Sequence, residues 1–286
     1  MGGKSRFQLA QQKPGELRAT QARLRPVMTI SHRRAQVANW AFLVAVSLLG
    51  FTLRLPAQIP GGQTGFNPAL LQLFGSHKAF TGTTDLRMTD RMNKELVRMP
   101  MQMQFLDGKV RAEVNLKQIT ASAMGEEGLA MFKQAGMEQV VSILRPDRKV
   151  SIVAFAPAKV FTQEPMTPED VAGFALKYEV KLTELGRETI NNHPCIKNQV
   201  TVSNSRGERI QGTVWNATDL KQFPVKILLP EGDSIIEMSF RDVKLQKPDS
   251  TVFEAPAGFT RFESMEKLIQ SRLASILGAG KPGTTK

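Results

Sequence analysis

The chain has 286 residues, of which 41% are apolar and 22% charged, with 38 Lys and Arg against 26 Asp and Glu and a net charge of +12. That is enough chain and enough apolar content to bury a core, so wholesale disorder is excluded. No apolar run reaches the about 18 to 20 residues of a membrane-spanning helix, and a single cysteine excludes both an internal disulfide and a site built from several thiolates.

The charge is concentrated at the start. Residues 1–57 hold nine of the basic residues and one acid, Glu16, leaving 29 basic against 25 acidic groups in the rest. A mild excess without basic clusters interleaved with aromatics argues against a nucleic-acid partner. Arg33-Arg34, the apolar stretch from Trp40 to Leu53 and the small residues Pro56-Ala57 before Gln58 are the parts of a secretory signal, with cleavage expected after Ala57. Met28 would start a compact version of it. The expected location is therefore periplasmic or otherwise exported and soluble, with anchoring by an uncleaved apolar segment as the alternative. Arg33-Arg34 are followed by Ala-Gln-Val, which does not match a twin-arginine motif.

Residues 58–78 read as a linker and a short helix. Ile59-Pro60-Gly61-Gly62 opens a flexible lead-in, and Asn67 caps a helix that begins at Pro68 and runs through Phe74. Strand patterns follow. Met99 to Phe105 alternates, Asp107-Gly108 is a hairpin turn, and Lys109 to Lys117 alternates again. Pro100 is expected at a strand start or on an edge, because it has no N–H for a ladder. Further hairpins are expected from Val140–Leu144 to Val150–Phe155, with Lys159–Thr162 continuing, from Ile196–Ser203 to Arg209–Trp215, and from Val225–Leu229 to Ser234–Phe240. A bulge is expected at Arg241-Asp242.

Successive neighbouring strands make an antiparallel meander the economical topology, with one wetted and one apolar face. Helices are expected over Glu126–Gln134, from the Thr167 cap through Tyr178, and over Glu263–Leu277. The fold class is α+β: a strongly curved antiparallel sheet, an incomplete β-barrel, with helices covering the concave face. Residues 79–262 form this domain, and 263–286 a C-terminal amphipathic helix and tail.

Several segments carry a resemblance. Arg145-Pro146-Asp147-Arg148-Lys149, the stretch from Leu185-Gly186 to Cys195, Phe223-Pro224-Val225 and Val252 to Phe259 resemble the LolA-like exported proteins, in particular their uncharacterised domain-of-unknown-function members. The resemblance covers roughly residues 79–262 and rests on turns and strand ends. It implies a half-barrel with helices as a lid over a hydrophobic cavity, in which members of the family shield lipoprotein acyl chains or lipids.

Eleven methionines lie beyond residue 57, and Met88, Met92, Met99, Met101 and Met103 fall within sixteen residues. Methionine is flexible and polarizable, so a face rich in it adapts either to acyl chains or to its own neighbours. The candidate walls of a hydrophobic site are Met99, Met101, Met103, Phe105, Val110, Val114, Leu116, Trp215, Met238 and Phe240, with residues 263–277 as the candidate lid.

The acid–base inventory is thin: His32 lies in the targeting segment, leaving His77 and His193. His193-Pro194-Cys195 is the one place where an imidazole and a thiol are close in sequence, and Pro194 makes it a turn into a strand. Glu126-Glu127 and the trio Glu164, Glu169 and Asp170 could suggest paired carboxylates or a metal, but Asp170, three residues after Thr167, complements a helix N-terminus without chemistry. Asn216-Ala217-Thr218 is a glycosylation sequon, relevant in a eukaryotic secretory pathway. The expectation is a non-enzymatic protein with no catalytic residue, cofactor or metal, whose partner is a lipid or an acylated lipoprotein. The alternative is an envelope interaction or regulatory module with a filled core and a protein partner.

Overall fold

The computed structural model describes residues 68–121 and 126–279. The signal segment, Ala57 and the glycine-rich lead-in lie outside the described residues. One thirteen-stranded sheet organises the chain, in the order β13-β7-β6-β5-β3-β2-β1-β12-β11-β10-β9-β8, with β4 pairing β2 off this path. The strands are β1 Ala79–Asp90, β2 Glu95–Leu106, β3 Lys109–Asn115, β4 Thr120–Ala121, β5 Gln139–Arg145, β6 Val150–Phe155 and β7 Val160–Pro165. They continue with β8 Tyr178–Ile190, β9 His193–Asn204, β10 Arg209–Ala217, β11 Phe223–Glu231, β12 Ser234–Lys244 and β13 Thr260–Phe262. The helices are α1 Pro68–Leu71, continued by a 3₁₀ turn over Gln72–Phe74, then α2 Glu126–Gln134, α3 Pro168–Ala175 and α4 Met265–Ala279.

The topology is two meanders rather than one. Strands β1 to β7 run outward in one direction and β12 back to β8 in the other, joined where β1 pairs with β12. All ladders are antiparallel except β13 on β7. The sheet is an open, incomplete barrel, and its curvature follows from chain length. Ten strand spacings of about 4.8 Å separate β7 from β8, about 48 Å along the sheet. The connection from Pro165 to Tyr178 contains the eight residues of α3 and can reach only about 33 Å. A flat sheet cannot be spanned that way, so the sheet bends and α3 crosses the hollow of the bend.

Local chemistry sets these elements. The Thr167 hydroxyl accepts the Asp170 N–H at 3.1 Å, Pro168 stands in the first turn, and Glu169 and Asp170 complement the helix N-terminus. α3 ends at Ala175 rather than Tyr178, which instead begins β8 and donates its hydroxyl to Gly173 O at 3.1 Å. The bulge lies where expected: Thr81 and Thr83 face Lys244 and Arg241, and Asp242 has φ 54°.

Pro100 corrects its expectation. It lies inside β2, opposite Asp85 of β1, in the middle of the sheet. On the other side of β2 the partner changes from β4, which ends at Arg98, to β3, which begins at Met101. The proline occupies that gap, where a missing donor interrupts no ladder.

The core cluster lines the concave face. Phe74, Phe80, Phe105, Phe223 and Phe240 meet with ring centroids 4.8 to 6.3 Å apart. They knit the 3₁₀ turn to β1, β2, β11 and β12, at about 0.5 to 1.5 kcal/mol per pair beyond their area. The outer face is not uniformly wet, as alternation in β3 suggested. A second cluster there joins Val141, Ile143, Ile152, Ala154 and Phe161 to Phe253 of the C-terminal segment. This strap over β5–β7 is fixed by Arg145. Its guanidinium donates to Asp147 at 2.7 Å, to Glu254 at 2.7 Å and to Phe253 O at 3.2 Å, and Arg111 donates to Val252 O at 3.2 Å.

Candidate functional site

Where β10 and β11 separate, the concave face opens. Their ladder runs from Ala217 opposite Phe223 to Thr213 opposite Leu228 and stops. Beyond it, Arg209–Gly212 pair only with β9, and Leu229–Glu231 only with β12. Two residues account for the parting. A Cβ on Gly212 would collide with the Leu228 carbonyl oxygen, so this crossing requires glycine. Pro230 then offers no N–H to continue the ladder.

Between the parted strands lies a cavity of about 110 Å³. Leu70 of α1, Ile210, Leu229, Pro230, Ile236 and Met238 supply its apolar lining, and Arg209, Gln211 and Glu231 its polar lining. A dry cavity of about 150 Å³ holds benzene, so this one takes a small apolar group and a whole acyl chain needs side chains to move aside. The side chains next to it are suited to that. Met238 of the cavity wall stands opposite Leu86 in β1, Leu86 opposite Met99 in β2, and Met101 and Met103 continue along β2. The Thr84 hydroxyl reaches the Met103 sulfur at 3.9 Å.

All ten residues singled out from the sequence are buried in one core cluster: Met99, Met101, Met103, Phe105, Val110, Val114, Leu116, Trp215, Met238 and Phe240. Met238 alone among them lines the cavity. Leu116 sits in a 3₁₀ turn after β3 rather than on the strand. Trp215 stands apart from the other wall residues. Its ring lies under the ammonium groups of Lys197 and Lys226, at 5.1 and 5.3 Å, and its indole N–H donates to Glu188 at 2.6 Å. Lys226 pairs with Glu237, the outward neighbour of Met238, so Trp215 packs on the outer face.

The candidate lid is also displaced from the cavity. In α4, Leu268 is fully buried in the core, the Met265 N–H is capped by Glu164 of β7 at 3.0 Å, and Arg272 donates to Ala135 O at 3.0 Å. Those contacts put α4 at the β7 end of the sheet. The helix over the cavity is α1, through Leu70. The helix itself was expected from Pro68 through Phe74, but four residues carry no periodicity that would mark it as a cover. The signals that could have located the opening are Gly212 and Pro230, each unusual inside a strand.

The polar candidates hold one another in structural roles. His193 Nδ1 meets Asp219 at 2.8 Å, and the Cys195 thiol donates to the His193 backbone oxygen at 3.2 Å rather than to an imidazole. Burial pushes the Cys195 thiol up, opposite to what a thiolate nucleophile needs. His77 Nε2 lies 3.1 Å from Lys221 O, and burial holds its imidazole below the usual range.

No protein-family model and no curated protein matches the chain. Among solved structures it is similar to a LolA superfamily protein of Nitrosomonas europaea, at 8% identity over 66% of this chain and 96% of that one, with a TM-score of 0.34. It is also similar to the lipoprotein LppX of Mycobacterium tuberculosis, at 11% identity over 61% and 91%, with a TM-score of 0.33. MucB of Pseudomonas aeruginosa, in its complex with MucA, is similar at 14% identity over 67% of this chain and 61% of that one, with a TM-score of 0.32. Among the described residues, no helix is long and apolar enough to cross a membrane.

Proposed function

We propose that this chain is an exported protein that binds a hydrophobic ligand, a lipid or the acyl chains of a lipoprotein, by passive shielding beneath its helices. The observation that carries the reading is the junction of an apolar cavity with a methionine row. The cavity admits the end of a chain at Met238, and Met99, Met101 and Met103 can change rotamer to extend the path along the concave face. Each buried methylene contributes about 0.8 kcal/mol, so an enclosed chain is held without polar chemistry. Arg209 is exposed and lines the cavity together with Glu231, so its polar side offers a cation and a carboxylate, which suits a zwitterionic head group.

The test is organic extraction of protein purified without detergent, followed by mass spectrometry. Acylated species in near-equimolar amount support the reading; an extract free of them, from protein that also fails to take up added lipid, contradicts it. The second reading, an envelope interaction module with a filled core, is favoured by one observation: the ten wall candidates are already buried within one core cluster. Under it, cavity-lining substitutions change stability alone.

A further inference from the structure

The two edges of the sheet are finished differently. β13 is three residues long and pairs along β7. β8 is thirteen residues long, among the described residues pairs with β9 on one side only, and its residues from Glu179 to Leu185 are all exposed. Long edges are ordinarily blunted by proline, bulges or charges, lysine above all, and β8 carries Lys181 beside Glu179. Here the stretch before the bulge at Glu184/Gly186 carries no proline. It presents Val180 and Leu182 at 41% and 51% exposure, opposite the fully buried Val202 and Val200. The apolar concave face therefore runs out to the edge of the sheet uncovered.

We infer that β8 is a homodimer edge, on which a second copy of this chain adds its own β8 antiparallel about a two-fold axis at Val180. The charge pattern selects both the partner and the register. Centred on Val180, the pairing sets Glu179 against Lys181 of the copy and Lys181 against its Glu179. On the concave side it sets Val180 against Val180 and Tyr178 against Leu182, twice. Neither Glu179 nor Lys181 has an ion-pair partner within its own chain among the described residues. Moving the axis to Lys181 sets lysine against lysine, and moving it to Glu179 sets glutamate against glutamate; both are disfavoured directly across a ladder. The interface is isologous and closes at two copies, and it removes one exposed edge from each.

The test is analytical ultracentrifugation of the purified protein and three variants: Glu179→Lys, Lys181→Glu and the exchange of both. All the altered side chains are exposed, and circular dichroism verifies that each variant folds. The protein is expected to dimerise, each single reversal to weaken dimerisation by about tenfold because both symmetric pairs turn repulsive, and the exchange to restore it to within about threefold. With Cys195 replaced by alanine, oxidation of Val180→Cys is expected to link two copies and oxidation of Thr183→Cys is not. A protein that stays monomeric at about 100 μM, a dimer indifferent to the single reversals, or an exchange that fails to restore pairing overturns the inference.

Discussion

The indole N–H of Trp215 in β10 donates to the carboxylate of Glu188 in β8, reaching past β9 over a distance of 2.6 Å. That bond, followed by Lys197, holds the Glu188 carboxyl below the usual range. It ties three strands together on the outer face and leaves the concave face at Val214 and Ile227 to the core. Trp215 is 4% exposed, and its partners make it a structural anchor of the outer face.

Replacing Trp215 with alanine should therefore lower stability by about 3 kcal/mol, the usual cost of truncating a buried aromatic. Affinity for an apolar probe should stay within about twofold where the variant is folded. Urea unfolding measures the first quantity and probe titration the second.

Acid should act through the C-terminal strap. The Arg145 guanidinium holds the Asp147 and Glu254 carboxyls below their ordinary values near 4. Depressed carboxylate pKa values contribute stability that is present above the unfolded values and lost as pH falls through the folded ones. The protein should lose stability steeply below about pH 4. Arg145→Met should cost about 2 kcal/mol at pH 7, where it removes charged hydrogen bonds around a side chain that is 6% exposed. That deficit should shrink toward pH 3, because protonated partners no longer need the guanidinium. Thermal melts of both proteins from pH 7 to pH 3 check the sign.

Much of this architecture was legible in the sequence for a physical reason: tight turns are chemically marked. Asp107-Gly108 and Glu231-Gly232-Asp233 each join strands whose alternation agrees with the observed burial, Pro146-Asp147 joins two strands buried on both faces, and the Thr167 cap located the start of α3. β8 was missed although Tyr178, Val180 and Leu182 alternate with Glu179, Lys181 and Thr183, because the helix opened at the Thr167 cap was carried through Tyr178 and the alternation breaks after Thr183. β1 was missed because its alternation is interrupted by Gly82 and the bulge beside it. Pairing between β1 and β12, like the parting of β10 from β11, is a long-range fact that no local window contains. Methionine enrichment pointed to residues that are buried in one core cluster, and nothing in it could distinguish Met238 at the cavity from Met99, Met101 and Met103.

Cys195 should behave as a structural thiol. It is buried, its thiol is engaged by the His193 carbonyl, and burial pushes its pKa up. Reaction with a thiol reagent at pH 7 should be slower than that of a free thiol by a factor of at least about 100 and should become complete on unfolding in guanidinium. Fast reaction in the native state would mean an accessible thiolate.

The most direct measurement is a titration with a fluorescent fatty-acid analogue, comparing the unaltered protein with Ile210→Phe, which fills the cavity between β10 and β11. Saturable binding to the unaltered protein, weakened by about tenfold or more in a folded Ile210→Phe variant, is the expected result. Equal binding by both proteins, or none by either, would contradict a ligand that enters between the parted strands.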